Sequence, residues 1–194
     1  MKEKSIKIIS FIGYSHSGKT ETIESLIKYF RAKKIQVIAL KHTDRPNFTI
    51  DTPGKNTWRY TQAGAQMIIS HSIEETAFLL NSEISQETLL KLVKLLLEDQ
   101  QSPLNEGIGL KSGSNPQVET ILILEGFRKI KGSKILCIKD VSEISEQLAP
   151  DIKIITGAIS TILSKEKIAK LEQECSVSIF NLRDNPHLID KILN

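Results

Sequence analysis

The stretch that decides the fold of this chain is Gly13-Tyr14-Ser15-His16-Ser17-Gly18-Lys19-Thr20. It fits the pattern G-x-x-x-x-G-K-T at every fixed position. Gly13 and Gly18 permit backbone conformations and close approaches that a side chain would block, so the loop can direct a row of N–H donors at phosphate oxygens. Lys19 adds a full positive charge, and Thr20 adds a hydroxyl for Mg²⁺. The stretch therefore predicts a loop that binds the phosphates of a nucleotide.

The segments on either side of this loop are those that a phosphate-binding loop requires. Residues 6–12 are apolar and β-branched, which predicts a buried strand, and residues 19–33 carry apolar side chains at helical spacing. Similar segments alternate along the chain, which predicts a mainly parallel sheet covered by helices, the three-layer α/β fold of P-loop NTPases. The further predicted strands are 36–41, 66–70, 76–80, 120–124, 134–138, 152–156 and 177–182. The further predicted helices are 57–63, 87–98, 165–174 and 186–193.

Length and composition predict one domain over residues 1–194, with residues 100–117 as a polar insertion. The net charge of +3, from 26 basic and 23 acidic side chains, and the lack of basic blocks with interleaved aromatics argue against a nucleic-acid partner. The apolar stretches are too short to span a bilayer, and no signal peptide is visible. Cys137 and Cys175 lack metal-ligand spacing. We therefore expect a cytoplasmic protein with reduced cysteines, no membrane contact and no structural zinc.

A nucleotide-bound Mg²⁺ also needs an acidic group, normally at the end of a neighbouring strand. Glu125 follows the most apolar run of the chain, residues 120–124, and is the first candidate. Asp44 and Asp51, in the polar stretch after the second predicted strand, are rival carboxylates that could lie near the terminal phosphate. Thr20 and Glu125 are therefore the predicted Mg²⁺ ligands, and Lys19 and Glu125 are the predicted catalytic residues.

Further segments of the chain resemble those of a known family. Four of these segments are Leu40-Lys41-His42-Thr43, Asp51-Thr52-Pro53-Gly54-Lys55-Asn56-Thr57, Gln62-Ala63-Gly64-Ala65 and Leu124-Glu125-Gly126-Phe127-Arg128. In order and spacing they resemble the K-H-T, D-x-P-G-K-D-[ST], [RK]-A-G-A and V-E-G-[FY]-K segments of the molybdopterin-guanine dinucleotide biosynthesis adaptor family, MobB. Residues 178–184 are similar to the family's final strand and turn. Asn56 departs from the usual Asp, and Gly132-Ser133 precedes Lys134 where a Pro is typical. These departures concern the contacts with partners, not the nucleotide site.

The resemblance implies a homodimeric P-loop protein that binds GTP with Mg²⁺ and hydrolyses GTP weakly. It also implies a role in attaching a guanine nucleotide to molybdopterin, in concert with the guanylyltransferase MobA. By position, the loop that faces the nucleotide or cofactor would contain Lys41, His42, Asp51, Gly54 and Lys55. The phosphates would be held by Gly13, Ser15, His16, Ser17, Gly18, Lys19 and Thr20.

The nucleotide preference and the class of activity stay open at this point. Residues 181–184, Asn-Leu-Arg-Asp, have the Asn and Asp of the guanine-binding N-K-x-D motif but Leu in place of Lys. A P-loop small-molecule kinase or another NTPase is the alternative, although residues 100–117 lack the arginines of a kinase lid, and a nucleotide-binding regulator without turnover is a third class. Arg45, Arg59 and Arg128 could each act as an arginine finger or form a surface salt bridge.

Overall fold

The computed structural model describes residues 6–98 and 120–193, which fall into two compact units. Residues 6–42 and 120–193 form the first unit, and residues 43–98 form the second. The strands of the first unit are β1 (Ile6–Ile12), β2 (Gln36–Lys41), β5 (Thr120–Glu125), β6 (Ser133–Cys137), β7 (Ile152–Thr156) and β8 (Ser178–Ile179). Its helices are α1 (Lys19–Ala32), α4 (Ser142–Gln147), α5 (Lys165–Cys175) and α6 (Asp190–Leu193), with 3₁₀ turns at Ala158–Thr161 and Pro186–Ile189. The second unit contains α2 (Asn56–Gln62), β3 (Met67–His71), β4 (Thr76–Leu80) and α3 (Gln86–Glu98).

The six strands of the first unit form one parallel sheet in the spatial order β2-β5-β1-β6-β7-β8. The apolar β5 lies between β1 and β2, and its residues 120–124 are all buried. A strand with a neighbour on each side and both of its faces buried has no solvent side, so its sequence does not alternate. This topology places the carboxyl ends of β1, β2 and β5 side by side.

Two apolar clusters cover the two faces of the sheet and make the three layers. On one face Ile9 and Phe11 of β1 pack with Leu26 and Phe30 of α1. On the other face the buried side chains of β6 and β7 pack with those of α4, the 3₁₀ turn after β7 and α5. The three-layer α/β architecture predicted from the sequence is confirmed.

The two cysteines are free thiols that belong to these two clusters. Cys137 is fully buried, and burial raises its pKa to about 12 because the thiolate would lose its hydration. Cys175 is half-buried against the second cluster. Both residues therefore fill space in the fold, Cys137 as a buried, protonated thiol and Cys175 as a half-buried one.

The second unit is built around a hairpin. Strands β3 and β4 pair antiparallel with Met67 opposite Leu80 and Ile69 opposite Phe78. Helix α2 precedes the hairpin and ends at Gln62, and the following Gly64 has φ 98°, the left-handed conformation expected after a helix end. Among the described residues, no helix of either unit is long and apolar enough to cross a membrane.

Two sequence predictions differ from the structure at the carboxyl end, and one helix, α4, was not predicted. The predicted strand 177–182 pairs only over Ser178–Ile179, because the chain then turns through residues 181–185. The predicted closing helix 186–193 is divided into a 3₁₀ turn and α6. Helix α4 was not predicted, since six residues are too few to display a helical period. The predicted insertion at about 100–117 lies outside the described residues, and the single domain over residues 1–194 stays a prediction.

Candidate nucleotide-binding site

Residues 13–20 join β1 to α1, and both motif glycines hold conformations and positions that exclude a side chain. Gly13 has φ 138°, and a Cβ added there would lie 2.0 Å from the carbonyl oxygen of Cys137. Gly18 is the N-cap of α1 with φ 82°, and its Cβ would lie 2.8 Å from the backbone nitrogen of Ala158. Glycine is therefore required at both positions for space as well as for backbone conformation.

The ammonium group of Lys19 is turned back onto the loop. Its Nζ donates to the carbonyl oxygens of Gly13 at 3.1 Å and Tyr14 at 2.6 Å, and to Oγ of Ser17 at 3.3 Å. Burial lowers the pKa of Lys19 below its ordinary value, because the ammonium group loses part of its hydration. Charged phosphate oxygens accept stronger hydrogen bonds than neutral carbonyls do, so this ammonium group is well placed to exchange these partners for an anion.

The backbone N–H groups of the loop are available to a ligand. Within residues 6–98 and 120–193, the main-chain nitrogens of residues 14–18 donate no hydrogen bond. Ser15 and His16 are exposed, and His16 adopts φ 61°, the left-handed conformation. Consecutive donors around such a residue form a concave anion site, and the amino end of the 14-residue α1 adds partial positive charge.

The segment after β7 packs against the phosphate-binding loop, and the sequence analysis did not predict this contact. After β7, Ala158 donates its N–H to the carbonyl oxygen of Ser17 at 3.0 Å. A Cβ on the neighbouring Gly157, which has φ 97°, would lie 2.2 Å from that same oxygen. The only signal in the sequence was a glycine directly after a predicted strand.

The predicted acid, Glu125, lies at the same edge of the sheet as the loop. It ends β5, opposite Phe11 of β1 and Lys41 of β2. Its carboxylate is 17% exposed, and Oε1 accepts from Nζ of Lys41 at 3.0 Å. The negative charge of Glu125 also raises the pKa of Lys19, although burial outweighs this effect. The structure therefore brings Glu125, Lys41 and the loop lysine into one electrostatic cluster.

The donor set fits a divalent cation that prefers oxygen ligands. Thr20 is exposed in the first turn of α1, so its hydroxyl is accessible, and Glu125 offers a carboxylate. In the part of the chain that the structure describes, no three His, Cys, Asp or Glu side chains group as metal ligands. Mg²⁺ needs no such cage, because it is commonly held by one or two protein oxygens, phosphate oxygens and water.

His42 is held against the segment that follows Glu125. Its N–H donates to the carbonyl oxygen of Glu125 at 2.9 Å, and its ring lies 5.5 Å from that of Phe127 between centroids. A Cβ on Gly126, which has φ 86°, would come within 3.0 Å of the His42 carbonyl oxygen. Lys41 and His42 are thus positioned beside the predicted acid, and that they face a nucleotide or cofactor stays a prediction.

The other half of the predicted loop, with Asp51, Gly54 and Lys55, belongs to the second unit. Oδ1 of Asp51 accepts from N of Thr52 at 2.8 Å and from Oγ1 of Thr57 at 2.9 Å. Its buried Oδ2 has no partner among the described residues. Lys55 is the N-cap of α2, and Gly54 has φ 87° with open space where a Cβ would be. That these residues face a nucleotide or cofactor stays a prediction.

The partial guanine motif after β8 is engaged within itself. Asp184 accepts from Nε of Arg183 at 2.8 Å and from Nδ2 of Asn181 at 2.9 Å. The hydrogen bonds from Arg183 and then Asn181 lower the pKa of Asp184. A guanine edge would have to displace both partners, so the geometry of this turn adds no support for guanine recognition.

Helix α4 supplies contacts at the loop that the sequence did not reveal. The hydroxyl of Tyr14 donates to Oε2 of Glu146 at 3.1 Å, and this bond raises the pKa of the Tyr14 phenol. Arg128 donates to Oε1 of Gln147 at 3.2 Å. Consecutive residues of α4 therefore contact the phosphate-binding loop and the segment after β5.

The parallel sheet, the glycine-lysine-threonine loop between β1 and α1 and the acid at the end of the adjacent β5 define the P-loop NTPase class of fold. The model of the family "MobB: Molybdopterin guanine dinucleotide synthesis protein B" matches residues 8–160. The chain belongs to the MobB family.

Relatives and solved structures agree with this assignment. The chain is 36% identical over 74 residues to the molybdopterin-guanine dinucleotide biosynthesis adapter protein of Haemophilus influenzae, covering 38% of this chain and 41% of that protein. It is 24% identical over 154 residues to the Escherichia coli protein of the same name, covering 79% and 78%. The Bacillus subtilis MobB crystal structure superposes with a TM-score of 0.67 at 19% identity, over 96% of each chain. A MobB homologue from Bacillus stearothermophilus gives a TM-score of 0.57 at 14% identity, over 96% of this chain and 95% of that one.

The match to the first relatives is partial. The chain spans 41% of the length of the Haemophilus influenzae protein and 30% of the putative adapter protein of Methanocaldococcus jannaschii, to which it is 38% identical over 73 residues. The structural similarities, all below 25% identity, establish the fold alone.

Proposed function

We propose that this chain is a GTP-binding adaptor with weak GTPase activity that serves the synthesis of molybdopterin guanine dinucleotide. In this proposal it acts with a MobA-like guanylyltransferase, which transfers the guanine nucleotide to molybdopterin. The family supports the pathway, since its members are named as adapter proteins of this biosynthesis. The geometry of the loop supports the nucleotide.

The observation that carries the proposal is the organisation of residues 13–20. Lys19 is held on the loop by two carbonyl oxygens and one hydroxyl, while the N–H groups of residues 14–18 make no hydrogen bond in the described chain. The loop donors and Lys19 would bind the phosphates of the nucleotide. This is a preorganised arrangement of donors, so an anion can bind without a rearrangement of the backbone.

Thr20 and Glu125 would hold the Mg²⁺ ion, which neutralises the phosphate charge and orients the phosphates when it is bound. Lys41 forms the ion pair with Glu125 in this structure. A cation at Glu125 would compete with that ammonium group for the same carboxylate oxygen. Lys41 is therefore a residue through which metal and nucleotide binding would be linked.

We also propose that the protein acts as a homodimer and that a second copy covers the outer face of the hairpin. Met67, Ile69, Phe78 and Leu80 lie on this face, which we call the hairpin face, and each is between 43% and 63% exposed. The register pairs Met67 with Leu80 and Ile69 with Phe78, so the four side chains are contiguous. Contiguous exposed apolar surface is typical of a protein–protein contact.

The test is binding of fluorescent GTP and ATP to the wild-type chain and to Lys19→Ala, with and without Mg²⁺. We expect tighter binding of GTP, stimulation by Mg²⁺ and a loss of at least about 30-fold in the variant, because a charged contact to phosphate is removed. Equal weak binding of both nucleotides that Lys19→Ala leaves unchanged would refute the site. Tighter binding of ATP would favour a kinase or another NTPase.

The adaptor role needs a separate assay. GTP hydrolysis is measured with the chain alone, then with a guanylyltransferase, and then with that enzyme and molybdopterin. A rate or yield of guanine nucleotide transfer that does not respond to the chain would argue against the adaptor role and leave nucleotide binding intact.

A further inference from the structure

Arg128 lies just beyond the acid of the site, on a segment fixed to β1. The N–H of Gly126 donates to the carbonyl oxygen of Phe11 at 2.9 Å, and Oγ of Ser10 donates to the carbonyl oxygen of Phe127 at 2.8 Å. The Phe127 side chain is 3% exposed. The backbone that precedes Arg128 is therefore anchored to the strand from which the phosphate-binding loop begins.

The side chain of Arg128 extends to the same short helix as the loop does. Its Nη2 donates to Oε1 of Gln147 at 3.2 Å, while Glu146, the preceding residue, accepts from the hydroxyl of Tyr14 at 3.1 Å. The Tyr14 carbonyl oxygen in turn accepts from Nζ of Lys19. Arg128 is thus connected to the loop lysine through two adjacent residues of α4 and one residue of the loop.

The charge of Arg128 reaches the loop as well. Burial is the main cause that lowers the pKa of Lys19, and the nearby positive charges of Lys41 and Arg128 lower it further. Lys41 ends β2, Arg128 follows β5 and Lys19 follows the loop after β1, so the three cations lie at one edge of the sheet. Such a concentration of positive charge is relieved when a polyanion binds.

The hydrogen bond between Arg128 and Gln147 contributes little to the stability of the fold. Its partner is a neutral amide, and in the described ranges no carboxylate forms an ion pair with it. A guanidinium group only donates, so Gln147 must turn its oxygen toward Arg128. Gln147 is 8% exposed, and its Nε2 is left buried without a hydrogen-bond partner among the described residues. A buried donor without an acceptor is unfavourable, so this contact does not explain Arg128 as a stabilising residue.

We propose that Arg128 is a catalytic residue that contacts the terminal phosphate of the bound nucleoside triphosphate, an arginine finger supplied by the same chain. The proposal rests on the proposed function. Hydrolysis joins the oxygen of a water molecule to the γ-phosphorus and breaks the bond from that phosphorus to the bridging oxygen. The bridging oxygen leaves on GDP with the bonding electron pair, and the water protons pass to phosphate and solvent. The guanidinium group stabilises the charge that develops on the phosphate oxygens.

The test compares Arg128→Ala, Arg128→Lys, Gln147→Leu and the adjacent exposed control Lys129→Ala. Binding of a non-hydrolysable GTP analogue, binding of GDP and single-turnover hydrolysis of GTP are measured for each, with circular dichroism as a check on folding. For Arg128→Ala we expect about tenfold weaker binding of the triphosphate analogue, GDP binding within about twofold of wild type, and hydrolysis slowed by more than tenfold. The binding and hydrolysis values of Arg128→Lys should lie between those of wild type and Arg128→Ala, because lysine keeps the charge and lacks the planar guanidinium group. Gln147→Leu and Lys129→Ala should match wild type.

Three outcomes would overturn the proposal. In the first, Arg128→Ala changes none of the three measurements. In the second, it weakens GDP and the triphosphate analogue equally. In the third, Gln147→Leu reproduces its effects, since Arg128 would then act only by holding α4. A wild-type chain that binds no GTP would instead refute the proposed function, and the role of Arg128 with it.

Discussion

Strands β5 and β4 have similar apolar sequences, Thr-Ile-Leu-Ile-Leu-Glu and Thr-Ala-Phe-Leu-Leu, and very different surroundings. Residues 120–124 of β5 are all buried, whereas Thr76, Phe78 and Leu80 of β4 are exposed. The difference is the number of neighbours, because β5 pairs with β1 on one side and β2 on the other, while among the described residues β4 pairs only with β3. An apolar strand therefore predicts that both of its faces are buried. Where the chain leaves such a face exposed, as at β4, a second molecule can cover it.

The largest effect should come from a pair of glycines with nearly the same positive φ, one in each unit. Gly157 has φ 97° and Gly64 has φ 98°. A Cβ at Gly157 would lie 2.2 Å from the Ser17 carbonyl oxygen, whereas a Cβ at Gly64 meets no atom of the described residues within 4 Å. Gly157→Ala should cost about 2 to 6 kcal/mol, from strain and overpacking together. Gly64→Ala should cost about 1 to 3 kcal/mol from strain alone.

Urea unfolding of both glycine variants measures this difference, and GTP binding adds a second readout. Gly157→Ala should also weaken GTP binding, because its contact partner belongs to the phosphate-binding loop, and Gly64→Ala should not. Equal losses of stability in the two variants would show that backbone strain, and not the close approach beneath the loop, sets the requirement for glycine at position 157.

A smaller effect is expected from the hairpin face. Phe78→Ser should raise the dissociation constant of the dimer by about 30-fold or more, because a large apolar side chain at the centre of a contact contributes strongly to binding. Leu95→Ser is the matched control, since Leu95 in α3 is 63% exposed, as is Phe78. Sedimentation equilibrium over a range of concentrations measures both. A wild-type chain that sediments as a monomer, or a dimer that Phe78→Ser leaves intact, would contradict the proposed interface.

The smallest effect concerns one ion pair in each unit. Lys134 and Asp151 are 2.5 Å apart with the lysine 12% exposed, and their hydrogen bond lowers the pKa of Asp151. Glu87 and Lys91 in α3 are 2.8 Å apart with both side chains more than 70% exposed, and the pKa of Glu87 is also lowered. Asp151→Asn should therefore cost stability at pH 7, by less than about 1 kcal/mol because the carboxylate is partly solvated.

The stability lost in Asp151→Asn should depend on pH. A carboxyl group whose pKa is lower in the folded state stabilises the fold above its unfolded pKa, about 3.9 for Asp, and this contribution is lost as the pH falls through the folded pKa. The difference in melting temperature between wild type and Asp151→Asn should therefore be present at pH 7 and shrink below about pH 4. Glu87→Gln should show a smaller difference throughout. A difference that persists at the lowest pH would assign the effect to packing instead of charge.

Much of the fold was predictable because its signals are local. Strands β1, β2, β4 and β7 have the predicted bounds, and α1 and α2 end within one residue of the prediction. The last segment was not predictable, since Phe180 and Leu182 are as apolar as strand residues, yet only Ser178 and Ile179 pair with β7. The Phe180 N–H still donates to the carbonyl oxygen of Ile155, but the side chains of Phe180 and Leu182 then pack into the first cluster, which no local pattern distinguishes from a longer strand.

The residues of the candidate site also separate into those that local sequence predicts and those that it does not. The loop residues from Gly13 to Thr20 were predicted from a motif and Glu125 from a strand end, and the family resemblance directed attention to Lys41 and His42. Gly157 and the Arg128–Gln147 contact were not found, because each depends on a segment distant in the sequence. A glycine after a strand and an arginine on a loop are too common to indicate a site alone.

The sequence by itself predicted where phosphate would bind, because eight consecutive residues supply the glycines, the backbone donors, the charge and the hydroxyl. The tertiary structure decided what surrounds that loop. The parallel register placed Glu125 and Lys41 at one edge of the sheet. The segment after β7 placed Gly157 and Ala158 against the loop, and α4 contacts both the loop at Tyr14 and Arg128. The physical reason is distance along the chain, since a loop of eight residues fixes its own geometry but cannot specify which strand ends will lie next to it.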